Sequence, residues 1–413
     1  MYTFLVILFS SLFTITDLKL FGFTTQTCLF FILIPSIFFL KLRLSKQFII
    51  YNLPFLFLLM FGLIILLIKI PNYPYADIYY VTAKNKDLLT ELLLSFVLFS
   101  LVLQKKLSSK GIRLFIEIYF LLNMIYLLVI TFYPEVAIYF HQRVENQYNL
   151  IFGRERLLGM EPSYTIPVNI LFSLIYMLNP RTQLISILIT LFTAFSFYIG
   201  QSKTGYIILF IGVCLWVYFK HLNKFNNKKI VSYIFLIIFS VVSFFTISYV
   251  DKKFEYTSSY RLNEYKNISF VTRSELIITT LQKIFENPMG LGYGNATIYL
   301  SESIENNLVN FESVEIEESS KYARTPKSQL LEYILGGGVI FLFLFLFQIK
   351  KLFKIILNIH DNYKKNLYYS IFIILIASIS IGERLPYILI MNMLWAIILI
   401  DYSRNLNSEK SAP

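Results

Sequence analysis

The stretch RERLLGMEPSYTIP (154–167) places Arg154, Arg156 and Glu161 directly before a long apolar segment. Other charged groups recur at comparable places. Lys203 lies in QSKTG, Arg273 opens the helical pattern RSELIITTLQKIF, and Arg324 and Lys327 precede another apolar run with Glu332 one turn inside it. Glu383 and Arg384 stand side by side between two further runs. Several guanidinium and ammonium groups at the ends of apolar segments suit a phosphate or diphosphate at a bilayer surface. Arginine grips phosphate oxygens through paired hydrogen bonds. In a partly dry site such charges also stabilise a departing diphosphate. A carboxylate beside them could take the proton from an attacking hydroxyl, with Glu161 the first choice and Glu332 the second. The substrate implied is an amphiphile, a lipid-linked phosphate bearing a polar group.

The elements that must position these residues are membrane helices. Of 413 residues, 56% are hydrophobic and only 15% charged, with a mean hydropathy of +0.63. A transmembrane helix needs about 20 mostly apolar residues. Twelve segments read as spans, near 2–16, 20–40, 47–70, 88–103, 114–133, 163–179, 183–199, 205–219, 230–249, 329–347, 367–381 and 388–402. The fold class expected is all-α, a polytopic membrane bundle. No cleavable signal is evident, because residues 1–16 lack a basic start and a small-residue cleavage site.

The net charge of +12 does not indicate nucleic acid, because the basic residues fall in alternate connections. One connection holds Lys41, Arg43 and Lys46, and the next basic one Lys105, Lys106, Lys110 and Arg113. Lys220, Lys224, Lys228 and Lys229 follow, and then Lys350, Lys351, Lys354, Lys364 and Lys365, with Asp361 the single acid in these four loops. This is the positive-inside pattern, and it places both termini in the cytoplasm.

Three divisions follow. Residues 1–250 carry spans one to nine, with outer loops at 71–87 and 134–162. Residues 251–328 form a large extracytoplasmic loop, and 329–413 carry the last three spans and a cytoplasmic end. The large loop has structure of its own. Thr272 and Glu275 have capping-box spacing, and Ile277, Leu281, Ile284 and Phe285 form one apolar stripe before Pro288. The glycine-rich turn MGLGYGN (289–295) comes next, followed by six glutamates between Glu302 and Glu318.

Each group has a plainer reading. Lys203 fits a snorkelling interfacial anchor as well as a phosphate contact. Glu383 and Arg384 fit a solvated pair, the glutamate run fits a solvated surface, and the loop tyrosines fit an interfacial belt. Arg154, Arg156 and Glu161 could be an ion pair that holds a loop down. Cys28 and Cys214 fall inside spans and read as small buried apolar side chains.

Four short elements in order resemble the bacterial O-antigen and capsule repeat-unit polymerases, relatives of the O-antigen ligases. They are GMEPSY (159–164), SKTGYIILF (202–210), RSELIITTLQKIFENPMGLGYGN (273–295) and PKSQLLEYILGGGVIFL (326–342). The resemblance implies a C-type membrane glycosyltransferase fold. The implied reaction transfers a glycan from undecaprenyl pyrophosphate to the terminal hydroxyl of a fresh lipid-linked repeat unit. It implies no cofactor and no metal, and the chain contains no Asp-x-Asp pair. Carried onto these motifs, Arg273 with Arg324 or Lys327 binds the diphosphate. Arg154 and Arg156 hold the second lipid-linked substrate or the same diphosphate, Lys203 adds a phosphate contact, and Glu161 or Glu332 is the base. A chain-length regulator and a flippase are the protein partners implied, and the bacterial cytoplasmic membrane is the location. Ligases usually carry a histidine where this chain has Lys327; His221 and His360 fall in cytoplasmic loops and His141 in another outer loop.

Other functions predict other patterns. A flippase for the same lipid-linked sugar has short outer loops and charges near the midplane. A secondary transporter shows repeated halves with broken helices. A non-catalytic export partner needs no cationic cluster at all.

Overall fold

The computed structural model describes residues 19–20, 23–104, 109–133, 162–200, 276–305, 325–326, 328–382 and 386–410, with a few isolated positions besides. The architecture is helical. A two-residue antiparallel ladder, β1 (Lys19–Leu20) with β2 (Phe23–Thr24), pairs Lys19 with Thr24 and leads into α1 (Thr25–Phe39). Then come α2 (Lys46–Lys69), a short 3-10 turn at Ile70–Asn72, α3 (Tyr75–Leu103) and α4 (Ser109–Phe132). After these are α5 (Pro162–Met177) and α6 (Gln183–Gly200). Helix α7 covers 276–286 and is followed by α8 (Asn295–Glu305). The chain ends in α9 (Gln329–Leu357), α10 (Asn362–Ile381) and α11 (Tyr387–Lys410).

Helix starts follow local chemistry. Ser45 accepts the Phe48 N–H, Ser328 accepts that of Leu331, and Asp361 accepts those of Tyr363 and Lys364. Among the described residues four helices are long and apolar enough to cross a membrane: Lys46–Asn72, Lys110–Val129, Gln329–Leu357 and Asn362–Ile381. Shorter apolar helices lie at Leu29–Phe39, Thr165–Met177, Gln183–Ser196 and Tyr387–Ser403. The expected first, eighth and ninth spans and the loop at 134–162 lie outside the described residues, apart from Pro162 and a few isolated positions.

Two expectations are corrected. Residues 71–87 are not a loop. After Pro74 the chain enters α3 and stays helical through Leu103, because nothing between Tyr75 and Leu103 breaks a helix. The expected stripe of Ile277, Leu281, Ile284 and Phe285 also divides, with Ile284 packed inward and Leu281 and Phe285 outward. Leu276 is buried against Ala296, Leu300 and Leu335 with Ile284 beside it, whereas Ile278, Leu281 and Phe285 are exposed.

The core sits where α2 and α9 pack along each other and α3 packs on α11 and α2. Phe55 meets Tyr333, Phe341 and Tyr387 edge-on or tilted, and Tyr51 stacks on Trp395 at 3.7 Å. Two buried amides lock α2 to α11: Asn52 and Asn392 exchange hydrogen bonds of 2.8 Å, and each also donates to the carbonyl four residues before it. Small and amide side chains are the usual adhesive where hydrophobic association gives helices no net gain. The outward faces are apolar: Met60, Leu63, Ile64, Leu67 and Ile68 of α2, and Val339, Phe343, Leu346 and Phe347 of α9, recur every three or four residues. Stripes of this kind on long apolar helices suit hydrocarbon, not water.

Candidate active site at the glycine turn

Helix α9 contains Gly336, Gly337 and Gly338, and Gly338 departs from helical geometry with φ 64° and ψ −158°. The break exposes backbone groups that the helix would otherwise satisfy. The turn after α7 supplies their partners. Leu291 N–H donates to the Leu335 carbonyl at 3.0 Å and Gly292 N–H to that of Gly336 at 2.8 Å. In return, Val339 N–H donates to Pro288 O at 2.8 Å. Backbone meets backbone so closely that a Cβ on Gly290 would stand 2.5 Å from Gly338 N and one on Gly338 would collide with Met289 and Pro288. Gly290 itself has φ 86°. Only glycine meets both demands at these two positions.

Docking of this turn sends Tyr293 inward. Its ring lies 5.8 Å from that of Tyr333, and its carbonyl accepts from Asn85 Nδ2 at 3.1 Å. Burial pushes the Tyr293 phenol well above its ordinary value, and the charge of Glu332 adds to the push. Asn85 also donates to Val81 O, so α3 holds the turn through one amide. Helix α8 starts immediately afterwards and rests on α2 and α3 through Ile298, Leu66 and Val81.

Beside Asn85, Lys84 reaches across to α9. Its Nζ donates to Glu332 Oε1 at 3.0 Å, and it also lies 5.9 Å over the Tyr80 ring. The Glu332 side chain is 5% exposed and that of Lys84 18%. Removing two opposite charges from water together is tolerable where either alone would be costly. Two turns further along α3, Glu91 accepts the N–H groups of Ile388 and Leu389 at 2.8 and 3.3 Å, a carboxylate on the positive end of α11. Gln329 N–H donates to Gly382 O, and its side chain donates to the Tyr333 hydroxyl at 2.6 Å. Helices α3, α9 and α11 and the glycine turn therefore meet at one end of the bundle, with Lys84, Glu332 and Glu91 among them.

Of the residues expected in the site, Glu332 is the one described, and it is paired and buried where the sequence placed it, one turn inside α9. Glu161, Arg154, Arg156, Lys203, Arg273, Arg324 and Lys327 lie outside the described residues. Lys84, Asn85, Glu91 and Tyr293 were not anticipated. A signal for two of them was available: Lys84 and Glu91 are seven residues apart on a segment free of glycine and proline, so they share a helix face.

Chemically, this end offers a cation with a carboxylate partner, a neutral phenol and a turn fixed by backbone contacts. An anion entering beside Lys84 could share its charge with Glu332, and the carboxylate so relieved could accept a proton.

No curated protein and no solved structure matches the chain. A family model described as O-Antigen ligase matches residues 185–346. That range runs from α6 into α9 and takes in the glycine turn, the break at Gly338 and Glu332. It agrees with the resemblance carried by the sequence motifs: the α6–α9 part of this helical chain, which includes one of its long apolar helices, is similar to that family.

Proposed function

We propose that the protein is a lipid-linked glycosyltransferase that joins undecaprenyl-pyrophosphate-linked oligosaccharide repeat units into a surface polysaccharide. The observation that carries this reading is the Lys84–Glu332 pair beside the glycine turn, of which Glu332 and the turn lie within the segment that the O-antigen ligase model matches. The terminal hydroxyl of one unit attacks the anomeric carbon of the other chain. The bond from that carbon to the diphosphate oxygen breaks, undecaprenyl pyrophosphate leaves with the electron pair, and the hydroxyl proton passes to a carboxylate. Glu332 and Glu161 are the carboxylates proposed for that step. Lys84, with Arg154, Arg156, Lys203, Arg273, Arg324 and Lys327, is proposed to neutralise the diphosphate. The basic connections support a location in the bacterial cytoplasmic membrane with both termini in the cytoplasm and the glycine turn outside.

The description of the matching family favours a second reading, transfer of a finished glycan to a lipid acceptor by a ligase. The lysine at position 327, where ligases usually have histidine, favours the polymerase. Purified protein given only lipid-linked repeat units separates the two. A polymerase makes a ladder of products; a ligase leaves the units unjoined until a lipid acceptor is supplied.

A further inference from the structure

At the opposite end of the bundle, we infer, a crevice between α4, α5, α10 and α11 binds the headgroup of an anionic phospholipid. This does not rest on the proposed glycosyl transfer. The crevice encloses about 70 Å³, room for a few waters or one phosphate group and too little for an oligosaccharide. Its floor is apolar, with Ile116, Ile175 and Ile397 buried, and its rim carries Arg113, Lys364 and Asp401. Among the described residues, two cations and one carboxylate line the crevice, and Glu117 with Arg181 lies beside Arg113. Arg113 and Arg181 share Glu117 at 4.0 and 3.9 Å, too long for the paired hydrogen bonds that a guanidinium makes when fully engaged. Glu117 is held more closely by the Tyr176 hydroxyl, at 2.9 Å. Asp401 is taken by Lys364 at 2.9 Å and by the Tyr368 hydroxyl at 2.7 Å.

The geometry therefore leaves surplus positive charge and guanidinium donors at the mouth of an apolar slot, at the ends of apolar helices where headgroups lie. A phosphodiester with acyl chains satisfies both halves. A hydrated inorganic anion would gain nothing from the isoleucines, and a zwitterionic headgroup brings its own cation next to the arginines. Basic pockets between helix ends recognise anionic headgroups by these same means.

The test uses full-length protein in detergent, with native mass spectrometry and thermal unfolding after addition of phosphatidylglycerol, phosphatidylethanolamine or inorganic phosphate. Phosphatidylglycerol should remain bound and raise the Tm, and the other two should not. Arg113→Gln with Arg181→Gln should weaken its retention about tenfold, whereas Arg113→Lys with Arg181→Lys should keep most of it. Should the glutamine variant fail to fold, Asp401→Asn decides, because removing that carboxylate releases Lys364 and should tighten binding. Equal retention of phosphatidylethanolamine, a full shift from phosphate alone, or an unchanged or weakened Asp401→Asn protein would overturn the inference.

Discussion

Glu332 and Lys84 hold each other in a place where neither charge alone would be stable. Removing one partner strands the other. Lys84→Met should cost roughly 3 kcal/mol, at the low end for a buried pair because the lysine keeps some access to water, and should lower the Tm in detergent. Replacing both residues, as Lys84→Met with Glu332→Met, should recover much of that stability and none of the activity. A purely structural pair would recover both, so the two readouts distinguish a role in chemistry from a role in packing. Glu332→Gln keeps the shape and removes the charge. If the carboxylate accepts the hydroxyl proton, polymer formation should fall by roughly 10²-fold or more at matched protein level. Glycan ladders of undiminished length and amount from this variant would assign the proton transfer elsewhere, with Glu161 next in line.

At the scale of elements, α9 is broken at Gly338 and mended by a turn almost fifty residues earlier in the chain. Gly338→Ala must place a side chain in an extended positive-φ region that essentially only glycine adopts, which costs roughly 1–3 kcal/mol before any collision is counted, and its Cβ would meet the Pro288–Gly290 backbone. The turn should then lift away. Protease cleavage between Pro288 and Asn295 should rise severalfold, with α2 and α9 still paired elsewhere. Cleavage at the wild-type rate would mean that the turn is held by Tyr293 and Asn85 alone. Asn52→Leu should cost about 0.6–1.7 kcal/mol through loss of the amide exchange with Asn392. The apolar helices were legible in the sequence because runs such as Phe48–Ile68 exceed what a bilayer needs. The start of α3 was not, because hydropathy is low across Thr82–Asp87 and the eye follows hydropathy before it counts breakers. The docking of the turn into α9 was beyond reach for another reason. Three glycines in a helix and three in a turn each signal freedom, but only the fold shows that each fills the gap in the other.

For the whole molecule, the alternating basic connections predict which end faces out. In a background lacking Cys28 and Cys214, cysteines at Tyr75 and Tyr363, both exposed and at opposite ends of the bundle, report this directly. A membrane-impermeant maleimide should label Tyr75→Cys in intact cells and Tyr363→Cys only after permeabilisation; the reverse would turn the protein over and remove the glycine turn from the outer surface. Charge pattern yields an expectation of orientation because it depends only on counts near helix ends. Which cations converge was not readable in the same way. Lys84 belongs to the site through a contact between residues 248 apart, which spacing in sequence does not encode. The most direct measurement is reconstitution of the purified chain with undecaprenyl-pyrophosphate-linked repeat units and no other protein. Products should form a ladder, with one undecaprenyl pyrophosphate released for each bond made and the ladder lost in Glu332→Gln or Lys84→Met protein. Units that stay single in the presence of folded wild-type protein would contradict the proposal that this chain is itself the polymerase.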